Sequence, residues 1–454
     1  MMIDHNLNRR KFIQGTGALL TLSALQAKGL TFEDALKNMR VGLIGAGWYG
    51  KSDLFRLMQV RPVDVVAICD VDKKHLEEAG QLISKRQVSG KIPQLYTDYR
   101  KMLADHQLDL VLIATPDHWH ARQAIDAMRA GAHLYLQKPV SVDVLEGEAI
   151  LSQARKLNKK VQVGTQRRST AHLIDAKHRI IDQGLLGKIS HVEMCCYYHM
   201  RQNGNPPLQP VPEHFDYDMW TGPAPLRPYD GLPHGGWWRT FMEYGNGITG
   251  DMGMHMFDTV RWLLGLKWPK KISATGGIYV QKGGKSTIAD TQTALFEYDG
   301  LNCVWQHRTW GNAADPEYPW AFIIYGDKGT LKGSVMKYEF IPVGKGDAIK
   351  RDVVYEKEKF PMDVEEPRIE LHTAPATRQH MLNLLSAIEN DDLPVADIEE
   401  GYISTACCIL ANLSMELERP LQYDPHKKIC VDDPEATKRL RRPYRAPWQH
   451  PAQH

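Results

Sequence analysis

The sequence predicts an α/β protein in two parts. A doubly wound parallel sheet comes first, and an α+β domain with an open, mainly antiparallel sheet follows. Three observations carry the prediction. A short apolar strand, 40–44, runs into Gly45-Ala46-Gly47-Trp48-Tyr49-Gly50 and then into a helical pattern. Strands and helices alternate from there to about residue 166. Beyond that point strands follow one another, with Gly-containing turns between several of them.

Size and composition agree with a globular chain. It has 454 residues, 43% hydrophobic and 24% charged, enough for two domains and a sizeable core. The formal net charge is +2, which gives no reason to expect nucleic acid or an anionic membrane as a partner. The basic run 438–445 reads as a solvated tail. Seven cysteines, an odd number without CxxC spacing, sit mostly in apolar runs. They read as buried free thiols rather than a disulfide framework or a zinc site.

At the N-terminus, Asn8-Arg9-Arg10-Lys11-Phe12-Ile13-Gln14 precedes a weakly apolar segment, 15–27. Paired arginines before a short hydrophobic stretch resemble a twin-arginine export signal, with Ala24 or Ala27 before the cut. The segment is too short for an ordinary membrane-spanning helix, which needs about 20 residues. No later stretch is apolar enough to span a bilayer, so no membrane anchor is expected. Residues 1–35 are therefore signal and linker, and the protein is expected in the periplasm.

The glycine turn opens the first domain, 36–168. GxGxxG between a strand and a helix allows a tight turn, close approach to a pyrophosphate and close helix–strand packing. The helix N-terminus offers free N–H groups to the phosphates. The next strand, 63–69, ends in Asp70, twenty residues beyond Gly50. An acidic side chain there accepts hydrogen bonds from ribose hydroxyls and repels a 2′-phosphate, which favours NAD over NADP. A third buried strand, 108–114, ends in Thr115-Pro116-Asp117-His118-Trp119-His120. Strand 132–136 ends in Gln137-Lys138-Pro139, and strand 161–164 in Thr165-Gln166-Arg167-Arg168. In such sheets ligands bind beyond the carboxyl ends of the strands, where each of these polar clusters falls.

The second domain, 169–425, starts with helix 171–183 and strand 189–199. A Pro- and Trp-rich loop, 203–238, is too long for a mere connector. Helix 250–266 and strands 271–280, 290–298, 302–310 and 320–325 follow. Helices 377–389 and 399–418 close the domain, and 426–454 form a surface tail. Asp251 and His255 are four apart, so they share a helix face. A neutral imidazole there can take a hydroxyl proton, with the carboxylate orienting the ring. His118, His120, Asp251 and His255 lack HxxxH or CxxC spacing, so no metal site is expected.

Together these motifs resemble the Gfo/Idh/MocA oxidoreductases. The similarity rests on the glycine turn, the Thr-Pro-Asp-His-Trp-His segment, the Lys138-Pro139 pair and the run Val163-Gly164-Thr165-Gln166. It continues through Asp218-Met219-Trp220-Thr221-Gly222-Pro223-Ala224 and Gly250-Asp251-Met252-Gly253-Met254-His255. The resemblance implies an NAD-dependent sugar, glycoside or polyol dehydrogenase acting on a CH–OH group, C3 among the candidate carbons. It implies Lys138, His255 and Asp251 as the catalytic set. The cofactor set is Gly45, Gly47, Trp48, Tyr49, Gly50, Asp70, Thr115, Pro116, His118, His120, Gln137, Lys138 and Gln166. Arg167, Arg239 and Tyr244 join Lys138, Asp251 and His255 as substrate-binding candidates. Gln137 departs from the resemblance, because the family usually has Glu before Lys-Pro. A homo-oligomer, dimer or tetramer, through the open sheet is also implied. Two other readings stand beside this one: a glycoside hydrolase that uses NAD transiently, and a non-catalytic dinucleotide sensor.

The export reading has a direct check. Changing Arg9 and Arg10 together to Lys is expected to leave the precursor in the cytoplasm, as read by cell fractionation.

Overall fold

In a computed structural model of the chain, residues 39–198, 200–201, 204–366 and 370–453 are described; the twin-arginine-like segment lies outside them. The first domain is built on six parallel strands: β1 (Met39–Ile44), β2 (Val63–Cys69), β3 (Gln94–Tyr96), β4 (Leu110–Ile113), β5 (His133–Leu136) and β6 (Val161–Val163). Their order is β3-β2-β1-β4-β5-β6, with every neighbouring pair parallel. The chain reverses its direction of winding between β1 and β4, so the crevice opens there. The strand expected third is thus the fourth. β3 escapes the sequence pattern because it is three residues long and only Tyr96 is buried.

Helices α1 (Trp48–Val60) and α2 (Lys73–Ser84) cover one face of this sheet. α3 (Tyr99–Asp105), α4 (His120–Arg129) and α5 (Val144–Lys156) cover the other. α6 (Ala171–Ala176) is shorter than the helix expected, because a π-helical turn, Lys177–Ile181, takes over its second half.

The second sheet has eight strands: β7 (Ile189–Cys196), β8 (Lys271–Gly277), β9 (Thr291–Tyr298), β10 (Leu301–Arg308), β11 (Trp320–Gly326), β12 (Gly329–Ser334), β13 (Lys337–Pro342) and β14 (Ile349–Asp352). Only β7 and β10 pair in parallel; the other neighbours are antiparallel. β7 shows the period of two: Val192, Met194 and Cys196 are buried, and the residues between them are not. Strands β12, β13 and β14 extend the sheet beyond the expected set. A short helix, α7 (Tyr217–Thr221), interrupts the long loop. The helix α8 (Met254–Leu264) is preceded by a π-helical turn, Thr249–Gly253.

The two domains share one interior. α9 (Met362–Glu365) and α10 (Ala374–Asn390) return to the first domain. Met381, Leu384 and Leu385 of α10 join Leu54, Leu57, Val41 and Leu112 in one apolar cluster. The helix expected to close the second domain therefore covers the parallel sheet. Helix α11 (Ile398–Leu417) packs between the domains: Val140 N donates to Thr405 Oγ1 at 3.2 Å. A Cβ on Gly401 would overlap the Val163 side chain. Six of the seven cysteines are buried, Cys195 is half-buried, and all seven are free thiols.

The tail is structured. A two-strand hairpin, β15 (Tyr423–Asp424) with β16 (Ile429–Cys430), and α12 (Pro434–Lys438) lead into a segment that crosses back to the N-terminus of α5. Asp143 caps α5, accepting from Glu146 N at 2.8 Å, while Glu146 accepts from Val142 N at 2.9 Å. Asp143 Oδ2 also accepts from Arg442 N and from His450 Nε2, both at 2.9 Å, and Tyr444 donates to Glu146. The basic run is thus not a free solvated tail: Arg442 is clamped between the domains. Asp143, Glu146 and His450 stand close enough to suggest a metal, but their side chains already have protein partners: Asp143 holds Glu146 N, Arg442 N and His450, and Glu146 holds Val142 N and Tyr444, which fastens the tail. Among the described residues no helix is long and apolar enough to cross a membrane.

His450→Ala takes a charge-assisted donor from the buried Asp143 carboxylate. It is expected to cost about 2 kcal/mol, measured by denaturant unfolding.

Candidate active site

The glycine turn shows why these residues sit where they do. Gly45 has φ +93°, and a Cβ on it would lie 2.7 Å from the Ala114 carbonyl carbon at the end of β4. A Cβ on Gly50 would drive into the Gly45 carbonyl, whereas one on Gly47 would meet nothing within 4 Å. Two glycines close the turn and the third keeps open space over the first turn of α1. No side chain caps that helix, so its first N–H groups are available to an anion. Asp70, at the end of β2, accepts from Ala46 N at 2.8 Å and ties the turn to its neighbouring strand. A cavity of about 890 Å³ runs along this edge, lined by Gly45, Gly47, Trp48, Tyr49, Asp70, Thr115 and Pro116. Open space at Gly47, free helix N–H groups and Asp70 on the same wall fit a dinucleotide.

The cavity continues between the domains to Phe215, Trp220, His234, Trp238 and Arg239. Arg239 Nε is 3.4 Å from Asp251 Oδ1, which brings this wall to the catalytic candidates. Lys138, just after β5, reaches across the domain boundary. Its Nζ stands 2.5 Å from Asp251 Oδ1 and 3.0 Å from the Asp251 carbonyl. Both side chains are about nine-tenths buried, 8% and 10% exposed. Burial alone would raise the Asp251 carboxyl, but the Lys138 ammonium and the Arg239 guanidinium more than offset it and hold it below the usual carboxylate range.

His255, in the first turn of α8, packs edge-on against Trp320, ring centroids 5.5 Å apart. Burial, with Lys138, Arg167 and Arg239 nearby, holds its pKa well below the usual imidazole range. Its Nδ1 has no hydrogen-bond partner among the described residues. The expected orientation of the ring by Asp251 is therefore corrected: the carboxylate is committed to Lys138 and Arg239, whose charges attract it more strongly than a neutral ring does.

The other candidates divide. Gln166 Nε2 donates to Tyr49 Oη at 3.0 Å, joining the end of β6 to the glycine turn. His120 sets Nδ1 2.7 Å from the Pro139 carbonyl and Nε2 3.0 Å from the Thr115 carbonyl, and its one N–H donates to one of the two, placing the ring between the Lys138-Pro139 segment and the end of β4. His118 turns away from the cavity: its Nε2 contacts the Trp220 carbonyl at 3.0 Å and its ring packs on Tyr244. Tyr244 is fully buried in that aromatic cluster, so neither residue sits where a ligand group was expected. The cluster needs large rings at the domain joint, and both residues serve it.

Gln137 Nε2 donates to Asp53 Oδ2 at 2.6 Å, and burial pushes the Asp53 carboxyl up to about 7. A carboxyl thus arrives from α1 beside the Gln that replaces the family's Glu. Asp53 escaped the sequence reading, although an acidic residue on the inward face of an amphipathic helix was a signal. Asp117 also escaped it. Burial pushes its carboxyl well up, with Asp251 adding to the effect against Arg239 and Lys138. Its place in the strand-end segment 115–120 was the available signal.

Known proteins share this two-domain fold. A family model described as an oxidoreductase family with an NAD-binding Rossmann fold matches residues 39–165. A second, for the oxidoreductase C-terminal alpha/beta domain, matches 173–304 and 349–450. The chain belongs to the Gfo/Idh/MocA oxidoreductase family. An alpha-N-acetylgalactosaminidase of Shewanella oneidensis is 28% identical over 226 residues, 43% of this chain and 47% of that protein. The chain thus spans about half the length of the curated relatives it matches. Among solved structures, an oxidoreductase from Agrobacterium radiobacter, held with NAD+, L-tartaric acid and magnesium, is similar at TM-score 0.64 and 17% identity, over 85% of this chain and 98% of that one. A levoglucosan dehydrogenase held with NADH and L-sorbose is similar at TM-score 0.63 and 18% identity, over 85% and 98%. These two likenesses show the shared fold.

The low pKa of His255 has a sign that can be tested. The unfolded imidazole takes a proton near pH 6.5 while the folded one does not, so His255 contributes stability above about 6.5 and loses it as pH falls. His255→Gln is expected to flatten that part of the stability–pH curve, measured by thermal unfolding.

Proposed function

We propose that the protein is an NAD-dependent oxidoreductase that moves a hydride between the hydroxyl-bearing carbon of a sugar, glycoside or polyol and nicotinamide. The observation that carries this is the buried Lys138–Asp251 pair, with a neutral His255 within electrostatic reach, at the carboxyl edge of a dinucleotide-type sheet. When bound, the nicotinamide supplies the hydride-accepting carbon. His255 takes the hydroxyl proton as the C–H bond breaks, and the alcohol carbon becomes a carbonyl. Lys138 donates to the substrate oxygen and steadies the charge that develops on it. Asp251 holds the ammonium in place.

Asp70 supports NAD over NADP in this reading, because an acidic side chain at the end of β2 leaves no favourable place for a 2′-phosphate. An exported enzyme would meet little free NAD, so the cofactor would be loaded before export, held tightly and recycled in place. Pairing into a dimer or tetramer would use the open face of the second sheet, where Ile323 and Val304 are half-buried. The partial match to the Shewanella alpha-N-acetylgalactosaminidase supports a second reading, a glycosidase that oxidises, eliminates, hydrates and re-reduces on one cofactor.

Protein purified without added nucleotide is expected to contain NAD(H) and no NADP(H). A suitable sugar should raise the reduced-nicotinamide absorbance once per site. Lys138→Met and His255→Ala should keep the cofactor and lose turnover by about a hundredfold or more. Release of an aglycone through many turnovers without an acceptor would select the glycosidase. Nucleotide-free protein that binds NAD weakly would count against a resident cofactor, and near-normal rates in both variants against the mechanism.

A further inference from the structure

Arg167 and Arg168 are neighbours with opposite fates. Arg168 is committed to the fold: its Nε and Nη2 each bond the Asp258 carboxylate at 2.8 Å. Arg167 is 2% exposed, yet its Nε and Nη1 have no hydrogen-bond partner among the described residues. The acidic group it feels most is Glu370, an exposed residue with which it makes no ion pair. A buried guanidinium with unmet N–H groups is costly, because the water it lost has not been replaced.

Its position gives that cost a use. The Arg167 guanidinium lies 5.3 Å from the Trp320 ring, the same indole that His255 packs against at 5.5 Å. Arg167 is also one of three cations, with Lys138 and Arg239, that depress the His255 imidazole. The carboxylate facing them, Asp251, is committed to Lys138 and Arg239, and burial favours the neutral form of Asp117. Lys138 and Arg239 thus share the Asp251 carboxylate, and Arg167 is the one of the three cations with no carboxylate bonded to it among the described residues.

We infer, building on the oxidoreductase reading, that the substrate is a sugar acid, a uronate or its glycoside, whose carboxylate accepts hydrogen bonds from Arg167. A carboxylate matches one guanidinium in charge and in acceptors; a phosphate would leave more oxygens to satisfy. A carboxylate held by Arg167 would stand near Trp320, the ring that His255 also packs against.

Full-length protein, with its own or added NAD, is titrated with D-glucuronate, D-galacturonate and methyl glucuronide, and with D-glucose, methyl glucoside and glucose 6-phosphate. Thermal stabilisation and nicotinamide reduction are both followed. The acids are expected to act at concentrations at least about tenfold below the neutral sugars, and Arg167→Met to weaken the acids by about tenfold to a hundredfold while the bound NAD stays. Arg167→Lys, which keeps the charge, should recover part of the loss, and it serves as the test if the Met variant does not fold. Equal response to acidic and neutral sugars, with nicotinamide reduced by both, overturns the sugar-acid inference and leaves the oxidoreductase reading standing. Stabilisation by uronate that depends on Arg167, without any reduction, supports the carboxylate site and removes the oxidoreductase reading. Loss of bound NAD from Arg167→Met assigns the guanidinium to the cofactor and overturns the inference, as does a preference for glucose 6-phosphate.

Discussion

The ion pair between Lys138 and Asp251 is the constraint on which the rest of this structure depends. It joins the loop after β5 of the first domain to the π-helical turn before α8 of the second. Both partners are buried, and taking two charges out of water is repaid only if their geometry is held. The two domains must therefore keep one register. The shared core and α11 provide part of that rigidity. The tail provides another part: Arg442 donates to Met242 O at 2.6 Å and to Asn246 Oδ1 at 2.7 Å, while its own N–H bonds Asp143. One residue thus grips the chain just ahead of Asp251 and the chain just after Lys138.

That rigidity sets the electrostatics. Burial, with Lys138, Arg167 and Arg239 close by, holds the His255 imidazole well below its usual range, and burial pushes the Asp117 carboxyl up. Neither effect belongs to a residue type; each arises because the fold places particular groups in a space closed to water. The Gln137–Asp53 contact makes the same point. A local change in the strand-end motif is accompanied by a buried carboxyl from a different helix, so the surroundings of Lys138 cannot be judged from Gln137 alone.

Much of the fold was legible in the sequence because its signals are local. Gly45 needs positive φ, Gly50 needs contact without a Cβ, and the strands before Asp70, Thr115 and Lys138 are short apolar runs. These follow from backbone sterics and from the period of the hydrophobic pattern. The missed strands β3, β12, β13 and β14 have weaker local signals. β3 is short and mostly exposed, and β14 is largely exposed, so pairing rather than composition makes them strands. α10 was legible as a helix, but the sequence did not say which sheet it would cover.

The sequence by itself determined the dinucleotide-type turn, the alternation that builds a parallel sheet, and the list of groups able to move a proton. Each depends on a few neighbouring residues. Only the tertiary structure decided how those groups pair. It gave Asp251 to Lys138 rather than to His255, turned His118 and Tyr244 into packing and locked Arg442 between the domains. It also left Arg167 buried with unmet donors. The physical reason is that charge pairing and desolvation depend on distance and enclosure, and residues far apart in the chain acquire both only when the two domains close on each other.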